Sequence, residues 1–358
     1  MAHPPDGFAL DRTFDDLDDV ATAVPGWQLR FTRLSGGPLR ATLRIAATAE
    51  LRITRFAVDG PILATGAIPD GSSGVALILA SAGDVRSHGR VLDTATMAPG
   101  RIREQDIHLM TAGATELVAI AADHDLFERS LRAFTDFDSR SLHAGWCLHT
   151  APGAAGCVDR GHAILALQSV LAQGPVFSPG ARHRLQECVL QILLSDLRDG
   201  PVAEPPAAAP VRQRVARAAE EVLRARLHQP PSLCELCELV GASERTLHHA
   251  FQESFGATPK AYLRALRLSA ARRRLREGCG SVTEVATDLG LFHFGRFATE
   301  YRAMFGEAPS TTLRNARVRR CGRAERPRAE AVAGRRHRLS SMAEPDRDIS
   351  GIQRCRPT

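Results

Sequence analysis

Ser232-Leu-Cys-Glu-Leu-Cys-Glu-Leu-Val-Gly241 lies without a gap over Ser281-Val-Thr-Glu-Val-Ala-Thr-Asp-Leu-Gly290, at an offset of 49. After the glycines the offset becomes 50. Leu247 matches Phe297, Phe251 matches Tyr301, Phe255 matches Phe305, and Gly256, Pro259 and Leu263 match Gly306, Pro309 and Leu313. Residues 232–263 and 281–313 are therefore two diverged copies of one unit. Chance rarely reproduces apolar periodicity and punctuation together.

Each copy reads as a helix, a tight turn and a second helix. Ser232 with Glu235, and Ser281 with Glu284, have the spacing of a capping box, in which serine and glutamate satisfy each other's backbone N–H groups. Leu236 and Leu239 in the first copy, and Val285 and Leu289 in the second, supply an inward face. Gly241 and Gly290 stop the first helix, because glycine tolerates the left-handed backbone of a sharp turn. Second helices follow at Ser243–Phe255 and about His293–Phe305. They are pinned by Leu247, Phe251 and Phe255, and by Phe297, Tyr301 and Phe305. That is the helix-turn-helix arrangement, whose second helix is shaped for the major groove of DNA.

Between the copies, Pro259–Glu277 contains no breaker and predicts one long helix of roughly 19 residues, about 28 Å. One turn of B-DNA is about 34 Å, so such a spacer suits two recognition helices in successive grooves. Arg272, Arg273, Arg274 and Arg276 near its end can engage phosphates or acidic neighbours, or form a solvated face.

Residues 212–314 resemble the DNA-binding domain of the AraC/XylS family of bacterial transcription regulators. The resemblance rests on Ser-Glu-Arg-Thr-Leu-His-His-Ala-Phe (243–251), Gly-Ala-Thr-Pro-Lys-Ala-Tyr-Leu-Arg (256–264) with Arg267 and Leu268, Gly-Leu-Phe-His-Phe-Gly-Arg-Phe (290–297), and Phe305-Gly-Glu-Ala-Pro309. It implies base contacts from Arg245, His248, His249 and Gln252, with arginine and glutamine suited to guanine and adenine edges. In the second unit the matching positions are His293, Gly295, Arg296 and Thr299. There the sequence departs from the commoner pattern: a basic residue is absent at 299, and Phe294 and Gly295 replace polar residues. The second helix is accordingly expected to give backbone or shape contacts more than base readout. Ser281 and Thr283 open its first helix, where a phosphate could be held.

Ahead of the repeat, Val211–Leu227 predicts an amphipathic helix with Val215, Ala218, Val222 and Leu223 inward. Residues 200–211 are rich in Pro and Ala and read as a linker. Residues 123–199 read as helical. Asp125–Ala133, Gly161–Leu171 and Ala181–Leu197 are the segments, and the Leu185, Val189, Ile192, Leu193, Leu197 stripe either packs within its own domain or forms a dimer seam. Residues 1–122 show short apolar runs broken by Gly, Pro, Asp and Ser, at 29–34, 39–45, 51–58, 75–80 and 117–121. Leu43, Ile45, Leu51 and Ile53 fit a hairpin with alternating faces. An acidic stretch from Asp11 to Asp19 carries Phe14, Leu17, Val20 and Val24 at helical spacing. The expected fold class is α+β: an N-terminal cupin-like β-barrel with following helices, then an all-α domain of two helix-turn-helix units joined by a long helix.

Charge divides the chain. Residues 1–200 hold 18 arginines against 23 acidic residues, while residues 201–358 hold 28 basic residues against 17 acidic ones, so the front is −5 and the back +11. Of that excess, +7 lies in residues 315–358, read as an Arg-rich disordered tail, and only +4 in residues 201–314. Bulk attraction to phosphate therefore cannot supply specificity, and a few side chains must.

Composition and motifs narrow the function classes. No apolar run is long enough to span a membrane, and the N-terminus does not read as a secretory or transit signal. Eight irregularly spaced cysteines suggest a reducing, cytoplasmic setting instead of a disulfide framework. Cys234-x-x-Cys237 with His248 and His249 invites a zinc reading. Against it, Cys234 and Cys237 align with Thr283 and Ala286, which marks them as small-residue helix positions. His88 and His108 are too far apart for a cupin metal set, and no nucleophile has a base beside it. No catalytic residue, cofactor or metal is expected.

The reading is a DNA-binding transcription regulator, an activator responsive to a small-molecule effector in the N-terminal domain. Its expected partners are double-stranded DNA, RNA polymerase and a second copy of the chain as a homodimer, with no membrane. The alternatives are a constitutive DNA binder whose front domain only dimerises, and an enzyme with a DNA-targeting domain.

Overall fold

The computed structural model describes residues 8–134, except 25, 49, 88–89, 93–95 and 101–106, together with 148–149, 178, 180 and 211–320. The predicted helices at 161–171 and 181–197, the linker, His88 and the tail beyond 320 lie outside the described residues.

The front is built from β1 (Phe8–Phe14), α1 (Leu17–Ala23), β2 (Gln28–Arg33), β3 (Ala41–Ala47), β4 (Leu51–Val58), β5 (Ile62–Ala67), β6 (Ser72–Ser81), β7 (Val85–Ser87), β8 (Arg90–Leu92), β9 (Thr96–Gly100), β10 (Ile107–Thr111), β11 (Thr115–Asp123), α2 (His124–Phe134) and β12 (Leu148–His149). One sheet has the order β1-β3-β4-β11-β6-β9-β12, the other β2-β5-β10-β7-β8, with antiparallel pairing throughout. Neither closes on itself among the described residues, which form two sheets with a core between them.

Cross-strand register explains the apolar runs. Leu43, Phe56 and Leu117 are direct neighbours across β3, β4 and β11 and share the core with Phe31 and Ile62. Ile53, Ile120 and Val75 are neighbours across β4, β11 and β6 on the opposite face, and they are buried too. The Leu43, Ile45, Leu51, Ile53 hairpin forms, but its two strands send those residues to opposite faces. A strand buried on both faces reads as a continuous apolar run and hides its alternation. In the acidic stretch Phe14 ends β1, and Asp16 caps α1 by accepting from Asp18 N at 2.9 Å.

The back contains α3 (Val211–Ala225), α4 (Leu233–Val240), α5 (Glu244–Phe255), α6 (Pro259–Arg276), α7 (Val282–Asp288), α8 (Phe294–Phe305) and a final helix over 309–320. That last helix crosses the boundary expected at 314. Helix α3 turns a different face inward from the one predicted. Ala216, Ala219 and Glu220 are buried with Val215 and Leu223, while Ala218 is exposed and Val222 half-buried. Leu239, expected inside, is 51% exposed, and Val240 packs against the core instead.

Helix α6 belongs to two cores. Tyr262 and Leu266 join Leu236, Leu247 and Phe251 of the first unit, and Leu268, Ala271 and Leu275 join Val285, Phe297 and Tyr301 of the second. Leu63 and Met110 of the front sheets enter the first of these cores. A helix enclosed from several sides cannot carry a simple amphipathic stripe.

Candidate nucleic-acid interface

Both units are held by the same local chemistry. Ser232 Oγ accepts from Glu235 N at 3.2 Å while the Glu235 carboxylate accepts from Ser232 N at 2.7 Å. The second copy repeats this, with Glu284 N donating to Ser281 Oγ at 3.1 Å and Ser281 N to Glu284 at 2.7 Å. Gly241 and Gly290 take left-handed backbone, φ 63° and 67°. At Gly290 the requirement is double, since a Cβ would also stand 2.5 Å from the His228 carbonyl oxygen. Arg267 ties the same place down, donating to the Leu227 and His228 carbonyls at 3.0 and 3.3 Å.

In the first unit Ser243 caps α5, accepting from Thr246 N at 3.2 Å. Leu247, Ala250 and Phe251 are wholly buried, which rotates Arg245, His249 and Gln252 to the solvent and leaves His248 half-buried beside Glu244. In the second unit His293 caps α8 by position, without a side-chain hydrogen bond. His293, Gly295, Arg296 and Thr299 are exposed, but two are already engaged. Arg296 Nε donates to Glu300 at 2.9 Å, and Thr299 Oγ1 to the Gly295 carbonyl at 3.0 Å. Ser281 and Thr283 are exposed at the start of α7, where Ser281 is committed to its capping box. Phe292 and Phe294, at 68% and 45% exposure, flank His293 at the mouth of α8.

The arginine cluster is engaged by groups of the protein itself, acidic side chains for Arg272, Arg274 and Arg276 and a carbonyl for Arg273. Arg272 donates to Asp16 at 2.6 and 2.9 Å and to Glu307 at 3.0 Å, with its guanidinium 4.7 Å above the Phe305 ring. Arg276 pairs with Asp16 and Asp19, Arg274 with Asp288 at 2.6 Å, and Arg273 donates to the Phe31 carbonyl at 3.3 Å. Burial opposes the charge on Asp16, but Arg272 and Arg276 outweigh it and hold the carboxyl below the usual range. Asp18 lacks such direct pairing; burial and the Asp16 charge push it up to about 6.

A second cross-domain link was invisible in the sequence. His108 on β10 meets Glu220 of α3 at 2.8 Å, and Glu220 also accepts from Tyr262 OH at 2.5 Å and from Arg224 at 2.8 Å. Burial would raise the Glu220 carboxyl, yet the His108 hydrogen bond and the His108 and Arg224 charges hold it at about 2. Between the sheets lies a chamber of about 140 Å³, lined by Trp27, Phe31, Thr54, Phe56, His108 and Val20 among others. Trp27 Nε1 and Thr54 Oγ1 are buried there without a hydrogen-bond partner.

Among the described residues no group of His, Cys, Asp and Glu gathers to hold a metal ion, and no helix is long and apolar enough to cross a membrane. Cys234 is exposed, and burial with neighbouring acids pushes the Cys237 thiol up, away from the thiolate a metal would need.

Two capped helix pairs on one shared helix define a double helix-turn-helix module. Residues 236–315 match a family model described as a helix-turn-helix domain. The chain is 42% identical over 113 residues to the XylDLEGF operon transcriptional activator 1 of Pseudomonas putida, covering 31% of this chain and 33% of that protein. It is 46% identical over 96 residues to activator 3 of the same operon, covering 26% and 29%. A crystal structure of a probable AraC family transcriptional regulator from Rhodopseudomonas palustris is similar at 38% identity and a TM-score of 0.28, covering 28% of this chain and 96% of that one. Through this module the chain is similar to the helix-turn-helix portion of AraC/XylS-type transcription regulators. It spans about a third of the length of the curated relatives it matches.

Proposed function

We propose that the protein is a sequence-specific DNA-binding transcription regulator that acts as an activator. The observation that carries this reading is the pair of capped helix-turn-helix units on α6, with Arg245, His249 and Gln252 turned outward by the burial of Leu247, Ala250 and Phe251. In this reading Arg245, His248, His249 and Gln252 contact base edges. His293, Gly295, Arg296 and Thr299 meet the second groove segment, and Ser281 and Thr283 lie against the backbone. The domain division proposed is residues 1–122 for sensing, 123–199 for dimerisation, 200–211 as linker, 212–314 for DNA, and 315–358 as tail.

We further propose that the two-sheet front is a cupin-like effector domain, that a small molecule enters its chamber, and that the working form is a homodimer that meets RNA polymerase at promoters. The chamber supports this, because two buried, unpartnered polar atoms among apolar walls suit a ligand better than bulk water. No sequence feature favours an enzymatic role, and the relatives named above are transcriptional activators.

Footprinting with the full chain on the DNA upstream of its own operon tests the reading. Arg245→Ala should weaken specific binding by about 1–3 kcal/mol and relax base preference at one position. A footprint unchanged in extent and sequence preference would remove α5 from the base-reading role.

A further inference from the structure

We infer that Phe292 and Phe294 read thymine methyl groups in the major groove, so that the second unit selects sequence through apolar contact. The inference rests on the DNA-binding reading above and assigns a specificity to the weaker of its two helices.

Two polar groups of the first turns of α8 are already engaged within the helix. Arg296 is bonded to Glu300, which Arg264 also reaches at 3.4 Å, and the Thr299 hydroxyl donates back to the Gly295 carbonyl. What this mouth offers outward, on either side of the exposed His293, is two aromatic rings, 68% and 45% exposed. The fold does not ask for them. Phe297 and Tyr301 fill the core of this unit, and in the first unit the positions matching Phe292 and Phe294 at offset 50 are Ala242 and Glu244. Nor does the fold ask for glycine at 295, where an added Cβ would meet nothing within 4 Å. Beside Phe294 there is thus open space, continuous with the helix face that a helix-turn-helix unit presents to the groove.

Large exposed aromatics grouped together mark a contact surface. The N-terminal residues of a recognition helix meet base edges, and the thymine C5-methyl is the apolar feature of a major-groove edge. Phenylalanine and a methyl group are matched partners, whereas neither ring can hydrogen-bond to a base.

Selection of duplexes from a random pool by the full chain, followed by replacement of each selected thymine with deoxyuridine, tests this directly. Deoxyuridine keeps every hydrogen-bonding group and removes only the methyl. The expected result is thymine enrichment on the side of the site bound by the second unit. Binding there should fall about fourfold to fifteenfold on substitution with deoxyuridine, in line with the loss of one buried methyl contact or two. Phe294→Ala and Phe292→Ala should bind thymine and deoxyuridine duplexes alike, and Phe294→Leu should keep part of the preference. Equal wild-type affinity for both duplexes, or Phe→Ala variants as sensitive as wild type, overturns the inference. So does a loss of transcriptional activation by these variants without loss of thymine preference, which would assign the rings to a protein partner. Failure of the wild-type chain to enrich any sequence would instead overturn the DNA-binding reading itself.

Discussion

The guanidinium of Arg272 meets the carboxylate of Asp16 at 2.6 Å across a separation of 256 residues, with both side chains at least 85% buried. Asp16 is also the N-cap of α1, so one carboxylate holds a helix end and a domain junction together. Its partner Arg276 binds Asp19 on the same helix, and the Phe305 ring underlies Arg272.

Removing one member of a buried pair leaves the other charge uncompensated, at about 3 kcal/mol or more. Asp16→Asn should therefore lower stability to urea by that order. The double variant Asp16→Asn, Arg272→Met should lose less than the sum of the single losses. Additive losses in the cycle would show that the two residues do not couple.

The acidic groups at the junction give opposite dependences on pH. Glu220 titrates in the folded protein near 2 against an ordinary 4.5, so its stabilisation is present above 4.5 and lost as the pH falls toward 2. Asp18 is raised from 3.8 to about 6, so its contribution is present below 3.8 and lost as the pH rises through 6. Asp18→Asn should accordingly gain stability relative to the wild type between about pH 4 and 7. Glu220→Gln should lose most relative to wild type at neutral pH, and the gap should close in acid. Thermal melts across that range check both signs.

Gly36 lies where the front touches α8. A Cβ there would stand 2.4 Å from the Ala303 carbonyl oxygen, and neighbouring Gly37 N donates to the same oxygen at 3.2 Å. Gly36→Ala should push the two domains apart locally and cost about 1–3 kcal/mol, the range for overpacking a close contact. Faster amide exchange at Gly37, with α4 and α5 unaffected, is the expected signature.

Salt should separate attraction from recognition. Residues 321–358 contain nine arginines against five acidic residues, while the arginines 272–276 are engaged by the protein's own groups. A chain ending at residue 320 should keep its sequence preference and lose nonspecific affinity, with a shallower slope of log K against log salt. An unchanged slope would place the nonspecific attraction within 211–320.

The sequence made the repeat legible almost to the residue, because capping boxes, turn glycines and i, i+4 aromatics are local signals. Ser243, Thr258, Ser281 and His293 all stand at the N-caps of their helices. Less was legible where burial comes from distant partners. The buried face of α3 is turned toward Ala216 and Ala219 because Glu220 must reach His108 and Tyr262, and no pattern within the helix announces that. Leu239 looked inward by periodicity, but it stays 51% exposed while Val240 packs against the core. The role of the arginine cluster stayed open because Asp16 and Asp19 lie at the other end of the chain. The exposed candidates in α5 and α8 could be named from the repeat. That Arg296 and Thr299 would be engaged internally required coordinates.

Helix α6 sets a rule for anyone grafting parts between these regulators. Its residues line the hydrophobic interiors of both helix-turn-helix units, and two of its arginines are matched to acids on the front. A chimera that borrows the last third of a relative must therefore import partners for Asp16 and Glu220 along with it. A transplant that respects sequence boundaries but not these cross-chain matches would leave buried carboxylates stranded at its seam.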